Sequence, residues 1–288
     1  PDKMARWMPV DLYVGGAEHA CMHLIYARFF YKVLKDLGYI KMDSAKDHDE
    51  PFQKLKNQGM ILGEDHQKMS KSRGNVVNPD DVISVDGADT LRLYEMFMGA
   101  FEDTKPWDMK SIRGVRRFLD RVWDLREKVV DDKANETEQK VLHQTIKKVT
   151  EDIEGFGFNT AIAQMMILVN ELSSQEKIAK ETYSTFVVLL APFAPHIAEE
   201  LWEKLGHSDS IFQEKWPDYD SKLIKEDTIE LVIQINGKVR DKVSAKAGIS
   251  EEEALKLAQS SEKVKRHLGD SEIKKVIFVP DKLLSLVV

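Results

Sequence analysis

The hydrophobic period of the chain changes near residue 227, and this change constrains the fold more than any other feature. Residues 106–216 contain apolar positions spaced as in amphipathic helices. From Ile229 to Ile235, aliphatic residues instead occupy alternate positions, and Asn236-Gly237 follows as a strong signal for a two-residue hairpin turn. Helices and strands pack into different layers, so the sequence predicts an α-helical bundle followed by a small α+β domain. Helix caps are predicted at Asn78, Asp108 and Ser250, the last in a capping box with Glu253.

A third kind of pattern precedes the bundle. Leu12 to Val14 predicts a short buried strand, Gly15-Gly16 ends it, and a helix is predicted from near Glu18 to about Leu37. Open α/β sheets bind ligands at such strand–turn–helix units. Paired glycines allow a flat ring or a ribose to approach the backbone. Glu18 either accepts hydrogen bonds from ribose hydroxyls or places a favourable negative charge at the positive N-terminal end of the helix.

Two lysines lie three positions apart in the segment Lys68-Met69-Ser70-Lys71-Ser72, which Arg73-Gly74 follows. A lysine ammonium group is a mobile point charge that suits a polyphosphate. Charge that develops on phosphorus in a transition state also needs fixed cations nearby. Taken alone, the segment is equally compatible with a basic loop in solvent.

The same five residues match the second signature of class I aminoacyl-tRNA synthetases. A longer stretch resembles the catalytic domain of bacterial leucyl-tRNA synthetases, through Trp7-Met8-Pro9-Val10-Asp11, Gly15-Gly16, Glu18-His19-Ala20 and His23-Leu24. The resemblance covers essentially the whole chain and implies a multidomain protein. It implies part of a Rossmann-type α/β catalytic domain with linker helices (1–105), a helical bundle of the anticodon-binding type (106–222) and a small α+β tRNA-binding domain (223–288).

The resemblance also implies an activity and its site residues. The family uses ATP, accompanied by Mg²⁺, to activate leucine, and then transfers leucine to tRNA(Leu). Lys68 and Lys71 would be catalytic, because they would stabilise the departing pyrophosphate. His19 and His23 would border the leucine pocket. The contacts with ATP or the adenylate would come from Gly15, Gly16, Glu18, Met60, Met69, Ser70 and Ser72. For Met60, a place in the core is an equal alternative.

Basic side chains on two segments are candidates for contacts with tRNA phosphates. The first predicted helix of the bundle carries the arginine stripe, which consists of Arg113, Arg116, Arg117 and Arg121. The C-terminal hairpin carries Lys238 and Arg240. The alternative for the stripe is a solvated helix face, on which Asp120 and Asp124 pair with the arginines.

His19 and His23 are four residues apart, so they share one face of a helix. Such a pair can hold zinc, which makes a zinc hydrolase a distant alternative. The sequence offers no obvious third ligand and lacks the H-E-x-x-H order. No protein-bound metal is therefore predicted, and the two rings are expected to line a pocket or simply to pack.

The His-x-Gly-His signature of class I synthetases and an editing domain are both missing from the 288 residues. Together with the opening at Pro1, this predicts a C-terminal part of a larger ligase that is inactive alone. The sequence is also compatible with part of a ligase for isoleucine, valine or methionine, or with a non-catalytic tRNA-binding module. Cys21 is the only cysteine, which favours a cytoplasmic location. No apolar run is long enough to span a membrane, and we expect a monomer.

Overall fold

The computed structural model describes residues 6–40, 49–224, 228–269 and 273–288, which form two compact units divided after Tyr219. The division lies close to the predicted boundary at 222. The structure does not separate 1–105 from 106–219, because one apolar core joins them. In the described part of the chain, no helix is long and apolar enough to cross a membrane.

Short parallel strand pairs organise the beginning of the first unit. Strand β1 (Tyr13–Val14) pairs with β2 (Leu55–Lys56), and β3 (Ile61–Leu62) pairs with β4 (Lys105–Pro106). The strand predicted before the paired glycines is therefore present, but the prediction that it is buried is wrong, since Leu12 and Val14 are 39% and 48% exposed. The predicted helix begins later than expected: a 3₁₀ turn occupies Ala17–Cys21, and the α-helix α1 spans His23–Asp36. The first turn lacks a side-chain cap, so the chain tightens before α-helical geometry is established.

Within the described residues, the first unit contains seven further α-helices. They are α2 (Pro79–Asp86), α3 (Ala88–Phe97), α4 (Met109–Leu125), α5 (Glu136–Glu154), α6 (Phe158–Ser174), α7 (Lys180–Leu190) and α8 (Pro195–Lys204). A third parallel pair consists of β5 (Val129–Val130) and β6 (Ile178–Ala179). It joins the connection between α4 and α5 to the connection between α6 and α7. Asn78 and Asp108 cap α2 and α4 as predicted, since each side chain accepts a hydrogen bond from the backbone two residues on.

One apolar core runs through these helices and reaches the segment between β3 and α2. Its fully buried members include Leu93 of α3, Val122 of α4, Ile162 of α6 and Tyr183 of α7. In and beside this segment, Ile61, Met69 and Val77 are half-buried and pack against the same core. The lysine segment is therefore anchored to the helical core at both of its sides.

Helix α3 also forms hydrogen bonds with the segment that connects α7 to α8. Arg92 donates to the carbonyl oxygens of Pro192 (2.9 Å) and Phe193 (3.3 Å). The buried carboxylate of Asp89 accepts from the backbone N–H of Ile197 at 2.7 Å and lies 2.8 Å from Nδ1 of His196. Asp89 thus satisfies backbone donors in the first turn of α8, and the exposed His196 ring lies against the same carboxylate.

The second unit is the predicted α+β domain. Its sheet has the order β8-β7-β10-β9, with β7 and β10 parallel and the other pairs antiparallel. Asn236 and Gly237 have φ values of 49° and 77°, as a type I′ hairpin turn requires. The predicted capping box between Ser250 and Glu253 is present. The elements are β7 (Thr228–Ile235), β8 (Lys238–Lys246), α9 (Glu251–Ser260), α10 (Glu262–Leu268), β9 (Lys275–Val279) and β10 (Leu283–Val287).

Candidate active site

A cavity of about 760 Å³ lies beside the β1–β2 pair. It brings together three residues that were predicted to contact the adenylate, namely Gly16, Glu18 and Met60. Gly15 does not line the cavity but is fixed next to it, because its N–H donates to the carbonyl oxygen of Lys56 at 3.3 Å. The rest of the wall comes from residues 55–61 and from Glu102 and Thr104.

The carboxylate of Glu18 folds back over Gly16. A Cβ atom added to Gly16 would lie 2.1 Å from Oε2 of Glu18, so a larger residue would displace the carboxylate. The Glu18 side chain is exposed at the cavity surface, where its two oxygens can accept hydrogen bonds from a ligand. Gly16 thus leaves the space that the Glu18 carboxylate occupies, and this carboxylate is the hydrogen-bond acceptor.

Most of the wall residues were not predicted from the sequence, and three of these have distinctive surroundings. Lys56 forms an ion pair with Glu102 across the cavity edge. Oδ1 of Asn57 is buried and has no hydrogen-bond partner among the described residues. Gly59 lies against the backbone of residues 101–103, and its N–H donates to the carbonyl oxygen of Phe101 at 2.8 Å. A glycine inside a strand pattern was the available signal, since it often marks a close backbone approach.

The lysine loop, residues 68–74, begins where the strand from the cavity wall ends. Met60 lines the cavity, β3 follows it directly, and Leu62 forms a bridge with Lys68. Lys68 and Lys71 are exposed and form no ion pair with any described residue. No described carboxylate therefore neutralises either ammonium group. Neither lysine lines the cavity.

The other predicted members of the loop have different surroundings. Met69 is half-buried against the helical core and is not part of the cavity wall. The hydroxyl oxygens of Ser70 and Ser72 lie 3.2 Å apart, so each supports the shape of the loop. The structure thus assigns structural contacts to these three residues, while their contact with ATP stays a prediction.

The two histidines form part of an aromatic cluster. The rings of His19 and His23 lie edge to face at 5.9 Å, and Tyr13 stacks on His23 at 5.6 Å. Phe52 extends the cluster at 4.7 Å from Tyr13. Tyr13 and Phe52 were not predicted. Among the described residues, no group of three His, Cys, Asp or Glu side chains is arranged to hold a metal.

Some of the side chains predicted to contact tRNA already bond to other described residues, and others do not. Arg116 bonds to Asp120 and to the carbonyl oxygen of Asp86, and Arg121 donates to Oγ of Ser173. Within the described residues, Arg113 and Arg117 are exposed without such partners, as is Lys238 on the hairpin. Nε of Arg240 is buried and lacks a partner among the described residues.

Comparison with known proteins gives two family matches. Residues 7–105 match the class I tRNA synthetases for isoleucine, leucine, methionine and valine, and residues 139–255 match the anticodon-binding domain of tRNA ligases. Two curated relatives are leucine–tRNA ligases from two strains of Leptospira biflexa serovar Patoc. Each is 53% identical over 295 residues, which is 100% of this chain and 33% of the relative. The chain therefore spans about a third of the length of these relatives.

Solved structures show the same similarity. The ternary complex of Agrobacterium radiobacter K84 agnB2 LeuRS, tRNA and LeuAMS has a TM-score of 0.82 at 36% identity, over 98% of this chain and 39% of that one. A Mycobacterium tuberculosis methionyl-tRNA synthetase bound by methionyl-adenylate has a TM-score of 0.52 at 17% identity, over 70% of this chain and 45% of that one. The latter likeness concerns the fold alone.

Proposed function

Because the chain belongs to the leucyl-tRNA synthetase family, we propose that it is part of a leucine–tRNA ligase, which activates leucine with ATP and transfers it to tRNA(Leu). One observation carries this proposal: Gly16, Glu18 and Met60 share a cavity whose wall continues through β3 into the lysine loop. A nucleotide in the cavity would have its nucleoside near Glu18 and its phosphates toward Lys68 and Lys71. Within this protein, 1–105, 106–222 and 223–288 would serve as catalytic, anticodon-binding and C-terminal parts.

In the proposed reaction, the carboxylate of leucine attacks the α-phosphorus of ATP, and pyrophosphate leaves. Mg²⁺ would arrive bound to the ATP phosphates. The carboxylate of Glu18 accepts hydrogen bonds from the ribose hydroxyls and so orients the α-phosphorus. Lys68 and Lys71 compensate the charge that develops on the departing pyrophosphate. The cluster of His19, His23 and Tyr13 would border the leucine side chain.

We further propose that the chain does not activate leucine by itself. Helix α1 exposes Ile25, Tyr26, Phe29 and Phe30, each by more than half of its surface. Contiguous exposed apolar surface of this kind marks an interaction site. In the described part of the chain, the parallel pair β1–β2 also forms a sheet of two strands, whereas parallel sheets are normally larger and covered on both faces. Both observations support an additional part of an α/β domain that covers α1 in the working enzyme.

For tRNA, the proposal uses the side chains that the described structure leaves available. Arg113 and Arg117 on α4, with Lys238 on the hairpin, are proposed to contact phosphates. Arg240 is proposed as a further contact, although it is only half-exposed and its Nε is buried. Arg116 and Arg121 would contribute only after exchanging their present partners. We propose a cytoplasmic monomer as the working form.

The test is Lys71→Ala in the complete synthetase that contains this sequence, measured by leucine-dependent pyrophosphate exchange. We expect kcat to fall by about 10²- to 10³-fold, with little change in the KM for leucine. Lys177→Ala is the matched control, because Lys177 is also exposed but lies far along the chain from the loop. Equal losses in kcat and leucine affinity would contradict a role confined to the transition state.

Two companion measurements address the other parts of the proposal. A panel of amino acids should show leucine as the preferred substrate over isoleucine, valine and methionine. The isolated chain should show no leucine-dependent exchange while binding tRNA in a salt-sensitive manner. Robust exchange by the isolated chain would refute the claim that it is inactive alone.

A further inference from the structure

The side chain of Asn75 crosses the neck of the lysine loop. Its Nδ2 donates to both carboxylate oxygens of Asp65 at 3.0 Å and lies 3.4 Å from the carbonyl oxygen of Lys68. Its Oδ1 accepts from the backbone N–H of Ser70 at 2.9 Å. One amide group thus joins the residues that precede the loop to the backbone inside it.

The partner of Asn75 is itself held in place. Asp65 also accepts from the backbone N–H of Gln67 at 3.1 Å. A Cβ atom at Gly63 would lie 2.7 Å from Oδ1 of Asp65 and 2.9 Å from Nδ2 of Asn75, so glycine leaves the room in which the two groups meet. Gly63 directly follows β3. The Asp65–Asn75 clasp therefore sits on the strand that starts at the cavity wall.

The clasp matters because the two lysines are not held individually. Lys68 and Lys71 are exposed and make no ion pair with the described residues, so only the loop backbone fixes their positions. Among the described residues, and apart from local turns, the loop is also held by the Leu62–Lys68 bridge, by a 3.4 Å bond from Arg73 to Gln67 and by the packing of Met69 against the core. Asn75 supplies the shortest bond to the backbone between the lysines.

We propose that Asn75 is a positioning residue for leucine activation: through Asp65, Lys68 and Ser70 it holds both lysines at a set place relative to the nucleotide cavity. This inference rests on the proposed function. It requires no contact between Asn75 and ATP. Catalytic groups lose much of their effect when the shell that supports them is loose.

The variant Asn75→Asp tests the clasp with almost no change in shape. It keeps an acceptor for the N–H of Ser70 but places a carboxylate within about 3 Å of the Asp65 carboxylate, and like charges at that distance repel. The double variant Asn75→Asp with Asp65→Asn reverses the pair. An amide at position 65 then donates to a carboxylate at position 75, so the double variant should recover most of what the single variant loses.

The first measurement uses the isolated chain. Amide hydrogen exchange of residues 66–74 should accelerate at least about tenfold in Asn75→Asp, because the loop opens more often, and the double variant should restore protection. Peptides from α6 should exchange as in the wild type, and the melting temperature should change little. Unchanged exchange in the loop, or faster exchange throughout the first unit, would overturn the proposal.

The second measurement is pyrophosphate exchange by the complete synthetase. We expect kcat to fall about 10²-fold in Asn75→Asp, with KM values for ATP and leucine within about threefold of the wild type, and to recover in the double variant. A change in KM without a fall in kcat, or a kcat that does not recover in the double variant, would overturn positioning through the clasp. Absence of turnover in the wild type would instead refute the proposed function, and hydrogen exchange would still decide whether Asn75 orders the loop.

Discussion

A methyl group added to Gly59 should be damaging, because the backbone of Asp103 occupies the place where the methyl would go. An ideal Cβ at Gly59 lies 1.8 Å from the carbonyl oxygen of Asp103 and 2.2 Å from its carbonyl carbon. Real Cβ atoms essentially never approach another atom within 3.0 Å, so the two segments must part by about 1.2 Å, the difference between 3.0 and 1.8 Å. That movement strains the hydrogen bond from Gly59 to Phe101.

The expected magnitude follows from this displacement. Overpacking of this kind costs about 1–3 kcal/mol of unfolding free energy. The same movement displaces Met60 and Glu102, which lie on opposite segments of the cavity wall. Since misplacement by about 1 Å can lower a rate about 10²-fold, we expect a comparable loss in kcat/KM for ATP in the complete synthetase.

Gly114→Ala is the matched control, because the same chemical change should have the opposite sign. Gly114 lies inside α4, and the nearest atom to its added Cβ is Nη2 of Arg117 at 4.0 Å. Alanine is more favourable than glycine in a helix interior by about 1 kcal/mol. The variant should therefore be more stable than the wild type and should leave the ATP cavity unchanged.

Urea unfolding followed by tryptophan fluorescence measures both variants on the isolated chain. All five tryptophans precede residue 220, so the signal reports the first unit alone. The midpoint should move to lower urea for Gly59→Ala and to higher urea for Gly114→Ala. Equal stability of Gly59→Ala and wild type would refute the claim that this close backbone approach is obligatory.

Two further predictions concern α3. Asp89→Ala should lower the unfolding free energy of the first unit by about 1–3 kcal/mol, because it leaves partly buried donors at the start of α8 unpaired. The surface control Asp120→Ala should cost at most about 1 kcal/mol. Burial raises the pKa of Glu95 above its ordinary value. At pH values between the ordinary and the raised pKa, the folded state therefore binds more protons than the unfolded state, and the protein loses stability as pH rises through this range. Glu95→Gln removes this penalty, and its gain in urea midpoint over the wild type should be larger at pH 7 than at pH 4; a gain that shrinks toward pH 7 would contradict the assignment.

Local chemistry explains which features the sequence predicted well. The Asn236-Gly237 turn, the Ser250–Glu253 capping box and the Asn78 cap each depend on four or fewer neighbouring residues. Their geometry is therefore largely set before the rest of the chain folds. The cavity members Gly16 and Glu18 were found for a related reason, since a strand that ends in paired glycines is itself a short-range pattern.

The features that were missed depend on distant residues. Gly59 is required because residues 101–103 pack against it, and Lys56 meets Glu102 across 46 positions. The arginine stripe is regular in the sequence, yet Arg121 is engaged by Ser173, which lies on another helix. The periodicity of a sequence does not reveal such partners, because tertiary packing determines them. The extent of α1 shows the same limit, as its first turn became 3₁₀.

The arrangement of the site also explains why its lysines remain unpaired within the described residues. An ion pair to a neighbouring carboxylate would neutralise Lys68 or Lys71 and would have to be broken before either could bind phosphate. Exposed ammonium groups cost little in water, so the chain can fix the loop backbone through Asn75 and Met69 while it leaves the charges free. The carboxylate of Asp65, three residues before Lys68, is instead occupied by the amide of Asn75 and the N–H of Gln67. Neutral donors therefore hold the loop, and its positive charge stays available to an anionic ligand.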